Sequence, residues 1–325
     1  MDVRRVLRQV ADPAMEWVFA HRGEFALGEE ALAPDDEVNL SWKPLGELAV
    51  TCAAVSRHTA PCDPLHTRAA ELLSFAWQQT GQGELFLRMQ CLEPFATYPL
   101  EVYAALASAA DVRHAGYEDA AAVLTRTRGW QLTEQEPTRR LAVLNAEERA
   151  GVRRPDGRAQ ALARTWLGGL PEPWTFERHA GYAVTHVVFH LTDWGRAGPR
   201  SVPPDLAAYL DDWLPPWLDT CLDARMWDLA SELLAVAATL PKRPEPDVLQ
   251  DAWERIAAAQ RPSGAIPTVG QSGQHTEDED FLGHYHTTLM ALFAAALTAG
   301  RLDDGQPAPD TRHRPERHDG QGVLG

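Results

Sequence analysis

The chain has 325 residues, enough for one large core or two ordinary domains, and 45% of them are hydrophobic. Its formal net charge of −16 argues against a nucleic-acid partner, which calls for a basic surface. Lys43 and Lys242 are the two lysines, so arginine carries nearly all the positive charge, the composition expected of a high-GC bacterial genome.

From the N-terminus, Met1, Asp2, Val3, Arg4 and Arg5 open an amphipathic, charged stretch without a continuous apolar h-region. No secretory signal is therefore expected, and a cytoplasmic location follows. No run of 18 uncharged apolar residues occurs, so no membrane span is expected. Apolar residues then recur at intervals of three and four through 47–57, 67–79, 99–110, 117–127, 159–167, 182–192, 204–221, 225–240, 247–260 and 285–299. That spacing predicts amphipathic helices rich in Ala and Leu, with Pro and Gly punctuating the gaps. Period-2 strands are scarce; 83–86 and 265–267 read as short extended pieces at most. After Gly300 the apolar pattern stops, and 302–325, rich in Asp, Pro, Gly, Arg and His, reads as a disordered tail behind a single domain at 1–301. Cys52, Cys62, Cys91 and Cys221 show no CxxC spacing and read as free thiols.

Two motifs echo along the chain. Arg113-His114-Ala115-Gly116-Tyr117 returns as Arg178-His179-Ala180-Gly181-Tyr182, each time leading into a predicted helix. Gln79-x-x-x-Gly83-x-Leu85 returns as Gln260-x-x-x-Gly264-x-Ile266, a helix end in Gln followed by a turn through Gly. Paired helices repeating at this scale suggest stacked helical hairpins. The stretch 252–267, with its helix ending in Gln260 and its turn at Gly264, resembles a recurring element of α/α-toroid proteins, among them prenyltransferases, triterpene cyclases, six-hairpin glycosidases and lanthionine cyclases. The resemblance implies an all-α fold, a barrel of helical hairpins. Tyr182-Ala183-Val184-Thr185-His186 with Thr192-Asp193-Trp194-Gly195, and Tyr285-His286-Thr287-Thr288-Leu289, are also similar to an uncharacterised actinobacterial family over the C-terminal half, a likeness that implies no activity.

The residues able to carry chemistry centre on His186, His190 and Asp193. On a helix, positions four and then three apart share one face, so two imidazoles and a carboxylate can enter one coordination sphere. The ion would be divalent: zinc, iron or copper all accept such ligands. Val187 stands where the metalloprotease HExxH motif has its glutamate, which removes the thermolysin-like reading. His284 and His286 open a second helix and point to different faces, and His286 is the expected further ligand. His284, His179, Tyr182 and Trp194 are candidate pocket residues. His114 and His179 sit in the repeated motif, and a plain helix-entry role is the simpler account of both. In the acidic run 277–280, Asp280 is a candidate general acid or base together with Asp193, although four acids in a row more often form a solvated loop. The run is not the Asp-x-Asp-Asp motif of class II terpene cyclases. No Walker A loop, dinucleotide Gly motif or Gly-x-Ser-x-Gly elbow occurs.

These residues lead to the expectation of a metal-dependent enzyme of bacterial specialised metabolism, acting on a small organic or peptide substrate in a central cavity. A metal-free glycan hydrolase or lyase using paired carboxylates is the first rival. A non-catalytic helical scaffold is the second.

Overall fold

The computed structural model describes residues 2–28, 31–32, 41–152, 157–270 and 280–303. Within them the chain forms fourteen α-helices: α1 Val3–Ala20, α2 Trp42–His58, α3 Pro64–Gln79, α4 Glu84–Leu92, α5 Tyr98–Ala110, α6 Ala115–Leu124, α7 Arg128–Gln131, α8 Pro137–Arg149, α9 Arg158–Leu162, α10 Arg178–Leu191, α11 Pro204–Asp223, α12 Trp227–Thr239, α13 Pro246–Ala259 and α14 Phe281–Asp303. No β-strand occurs among the described residues.

Six helices form the inside. α2 packs on α5, α5 on α8, α8 on α10, α10 on α12, α12 on α14, and α14 returns to α2. The contacts among these six helices thus close into a cycle. The remaining long helices lie behind the ring: α1 against α13, α14 and α3, α3 against α2 and α5, and α11 against α12 and α13. Burial follows from position. In α12 every residue from Trp227 to Ala237 is buried, and in α14 burial is nearly continuous from Thr287 to Thr298. A helix walled in on all sides must be apolar around its circumference, so any acid on it needs a purpose or a partner.

Local chemistry sets the helix ends. The Asp63 carboxylate accepts from the Leu65 amide at 2.9 Å, ahead of Pro64 at the first turn. Glu136 accepts from the amides of Thr138 and Arg139, and Thr127 from that of Trp130. The second sequence echo is a repeated backbone turn. Gly83 and Gly264 have φ of +100° and +99°, a region open to glycine and costly for other residues. A Cβ at Gly264 would lie 2.1 Å from the Pro13 carbonyl oxygen of α1. Gln260 clamps this junction, its side-chain amide donating to the carbonyls of Val10 and Gly264.

Three expectations change. Residues 84–86 are not extended but open α4, with Gly83 as its cap, while 265–267 form no strand. The helices α1 and α8, which the spacing did not delimit, are both full helices. Leu302 and Asp303 belong to α14 rather than to a tail; the rest of that stretch, and the acidic residues 277–279, lie outside the described residues. Within the described residues, no helix is long and apolar enough to cross a membrane.

Candidate metal centre

On α12, Asp228 and Glu232 are four residues apart and share a face, although the helix around them is apolar. Their side chains are 6% and 1% exposed. Asp228 is fully supplied with donors. The Tyr182 hydroxyl from α10 donates to Oδ2 at 2.7 Å. On Oδ1, the Thr287 hydroxyl donates at 2.9 Å and His286 Nδ1 lies at 2.7 Å, both from α14. Glu232 is less well served. The Thr185 hydroxyl donates to Oε2, but Oε1 is buried without a hydrogen-bond partner.

His286 organises the group. With Nδ1 tied to Asp228, its Nε2 faces Glu47 Oε1 of α2 at 3.5 Å and Glu232 Oε1 at 3.7 Å. His186 of α10 brings its own Nε2 to 3.9 Å from Glu232 Oε2. Glu47 Oε2 is another buried carboxylate oxygen lacking a hydrogen-bond partner. Asp228, Glu232 and His286 place one potential ligand atom each within 4.8 Å of one another. Nitrogen and carboxylate oxygen are the donors that borderline divalent ions take, so these residues could hold such an ion.

Crowding acids with little water perturbs their protonation. Burial, then Asp228, pushes the Glu232 carboxyl up to about 8 against the pull of His286. Burial would likewise raise Asp228, but the His286 hydrogen bond and charge overcome it and hold that carboxyl below its ordinary value. For His286, burial acts downward and is overridden by Glu47 and Asp228, which bring the imidazole up to about 10. His186 goes the other way: its depth in the protein, then the charge on His286, press it down.

Above this floor lies a cavity of about 620 Å³ walled by α2, α5, α8 and α10. Glu47, His186, His190, Trp194, Arg139 and Arg149 are among its lining residues. His186 lies deep in the protein yet 46% of its side chain is accessible, because it faces this cavity. Glu47 and His186 belong both to this lining and to the cluster of acids and imidazoles on α12 and α14, so the cavity and the cluster adjoin.

The sequence-derived candidates fall into separate groups. His186 and His286 each bring Nε2 close to Glu232, at 3.9 Å and 3.7 Å. His190 lines the cavity one turn further along α10, its ring centroid 6.5 Å from that of His186. Asp193 does not join them. α10 ends at Leu191, Asp193 has φ of +50°, and its carboxylate turns to arginine: Oδ1 accepts from Arg149 Nε at 2.8 Å and Asn145 at 3.0 Å, and Oδ2 from Arg196 at 2.8 Å. Both oxygens are thereby engaged, which removes the reason to count Asp193 as a ligand or a catalytic acid. Asp280 is exposed and caps α14, accepting from the Leu282 amide at 3.2 Å. His284 is buried, with Nδ1 on the Asp280 carbonyl at 2.8 Å, and His179 is exposed. Tyr182 reaches the floor through Asp228, and Trp194 reaches the cavity wall. Sequence reasoning did not single out Glu47, Asp228 or Glu232. The available signal was the acid pair at positions four apart inside the otherwise apolar 227–239 helix.

Among proteins of known sequence families, a model described as a domain of unknown function, DUF6895, matches residues 11–296. No curated protein matches the chain.

Proposed function

The chain belongs to the DUF6895 family, and we propose that it is a metal-dependent enzyme whose divalent ion is held at the cavity floor by His286 Nε2, Glu232 and Glu47. His186 stands as the further ligand, and Asp228 acts as the carboxylate that fixes the His286 tautomer and aims its Nε2. The observation that carries the reading is a pair of buried carboxylate oxygens without hydrogen-bond partners beside His286: Glu232 Oε1, 3.7 Å from Nε2, and Glu47 Oε2, whose sister oxygen Oε1 lies 3.5 Å from the same nitrogen. A buried acceptor left unsatisfied costs about 1–3 kcal/mol, and more when charged; a cation removes that cost.

The ligands expected from the sequence are thus revised. His186 and His286 remain, Glu47 and Glu232 replace Asp193, and His190 stands apart. A divalent ion in such a site polarises a substrate oxygen or lowers the pKa of a bound water. The cavity volume suits a small organic molecule or a short peptide segment.

A metal-free reading has one observation in its favour. Glu232 is a raised carboxyl, and its Oε1 and Glu47 Oε1 both lie within 3.7 Å of the same imidazole nitrogen, an arrangement suited to general acid–base work. In that case Glu47 and Glu232 take the roles first assigned to Asp193 and Asp280. Elemental analysis of protein purified without a histidine tag separates the two. About one equivalent of a transition metal in wild type, lost in His286→Asn and Glu232→Gln, is the expected result. No uptake by wild type after incubation with zinc, iron or copper would refute the metal centre.

A further inference from the structure

We propose that His190 is a substrate-binding residue, and that with Trp194 it forms a subsite for a small organic molecule carrying a hydroxyl or carbonyl oxygen on a flat body. The assignment deepens the metal-centre reading and rests on it for the second point at which the molecule is anchored.

The first observation is an unmet hydrogen-bonding atom. Two other histidines satisfy Nδ1 on the carbonyl one turn back: half-buried His21, just past the end of α1, on Trp17 at 2.8 Å, and buried His284 on Asp280 at 2.8 Å. His190 does not. Its Nδ1 is buried without a partner, while its ring lines the cavity. A core histidine kept for packing alone would be expected to use the carbonyl its helix offers. Burial, then the nearby His186, presses its pKa well down, so the ring is neutral and can both donate and accept.

The second observation is backbone strain beside it. Asp193, Trp194 and Gly195 have φ of +50°, +54° and +74°, three left-handed residues in a row, two of them not glycine. The turn is held by the Arg149–Asp193 contacts, and Leu297 leaves no room for a side chain at position 195. Its effect is to lay the Trp194 ring against Phe189, centroids 4.9 Å apart, and edge-on to His190 at 5.9 Å, at the cavity wall. Strain held this firmly is characteristic of sites that place a functional side chain. A flat molecule resting beside Trp194 would offer its oxygen to His190 while a second polar group reaches the floor near His186.

Benzohydroxamate and acetohydroxamate are suitable probes, since both chelate zinc and the first adds a ring. Calorimetry on zinc-loaded protein should give tighter binding of benzohydroxamate. His190→Ala should weaken it about tenfold with zinc content unchanged, and His190→Gln should recover part of the loss. Unchanged affinity in His190→Ala, or loss of zinc from it, would overturn the proposal. Diethyl pyrocarbonate supplies a measurement that needs no metal. In folded, metal-free protein, peptide mapping should find His190 carbethoxylated alongside the exposed His179. An unmodified His190 would overturn the subsite even if wild type takes up no zinc, a result that by itself would count only against the metal centre.

Discussion

Replacing Glu232 by Gln tests the electrostatics of the floor most directly. A carboxyl whose folded-state pKa is raised binds its proton more tightly in the folded than in the unfolded chain, so its contribution falls as pH rises. For Glu232 the window runs from its ordinary 4.5 to about 8. Each unit in that window corresponds to about 1.4 kcal/mol. Part of the shift is shared with His286 and Asp228, which leaves an expected cost on the order of 2–3 kcal/mol between pH 5 and pH 8. Gln stays neutral and lacks this slope. In metal-free protein, urea titrations at the two pH values should therefore show Glu232→Gln gaining on wild type by that amount at pH 8 and by little at pH 5. With zinc present at a thousandfold its dissociation constant the order should invert, because wild type gains about 4.1 kcal/mol from binding and the variant does not. A variant less stable than wild type at pH 8 in the absence of metal, or an advantage equal at both pH values, would refute the argument.

Two further outcomes follow from geometry already described. Zinc binding should release protons and strengthen with pH, by up to about tenfold per unit and proton between pH 6 and 8, since a His286 held near 10 and a Glu232 near 8 must both deprotonate to ligate; calorimetry in buffers of different ionisation enthalpy measures the protons. Gly264→Ala should destabilise the protein by about 3 kcal/mol or more, because it forces a side chain to φ of +99° and against the Pro13 carbonyl; denaturant unfolding would show it, and a neutral result would mean that α1 and α13 do not meet as described.

The all-helical class was legible because Ala- and Leu-rich segments with period 3.6 dominate the chain. α4 and α8 escaped for local reasons. The nine residues of α4 are bracketed by Gly83 and a turn, so the run imitates a strand. In α8 the apolar residues 141–144 are consecutive rather than spaced, since that helix faces both the cavity and its neighbours. His186 and His286 could be paired from sequence because each lies inside a helix, where periodicity fixes direction. Asp193 could not: the spacing argument assumed a helix through position 193, but the chain leaves α10 at Leu191 and reverses its handedness. Glu47, Asp228 and Glu232 carried a weak signal, since acids on a helix usually face water. Their burial depends on the ring around them, which no local window contains.

The floor takes Glu47 from the second helix and His286 from the last, so its two halves are separated by most of the polypeptide. Bringing them together carries the entropy of closing a very long loop, and contacts of such sequence separation are slow to form. An ion bridging Glu47 and His286 would act as a clasp between the first and final hairpins. Loading would then report whether the circle of helices has shut, and no fragment ending before α14 could acquire it.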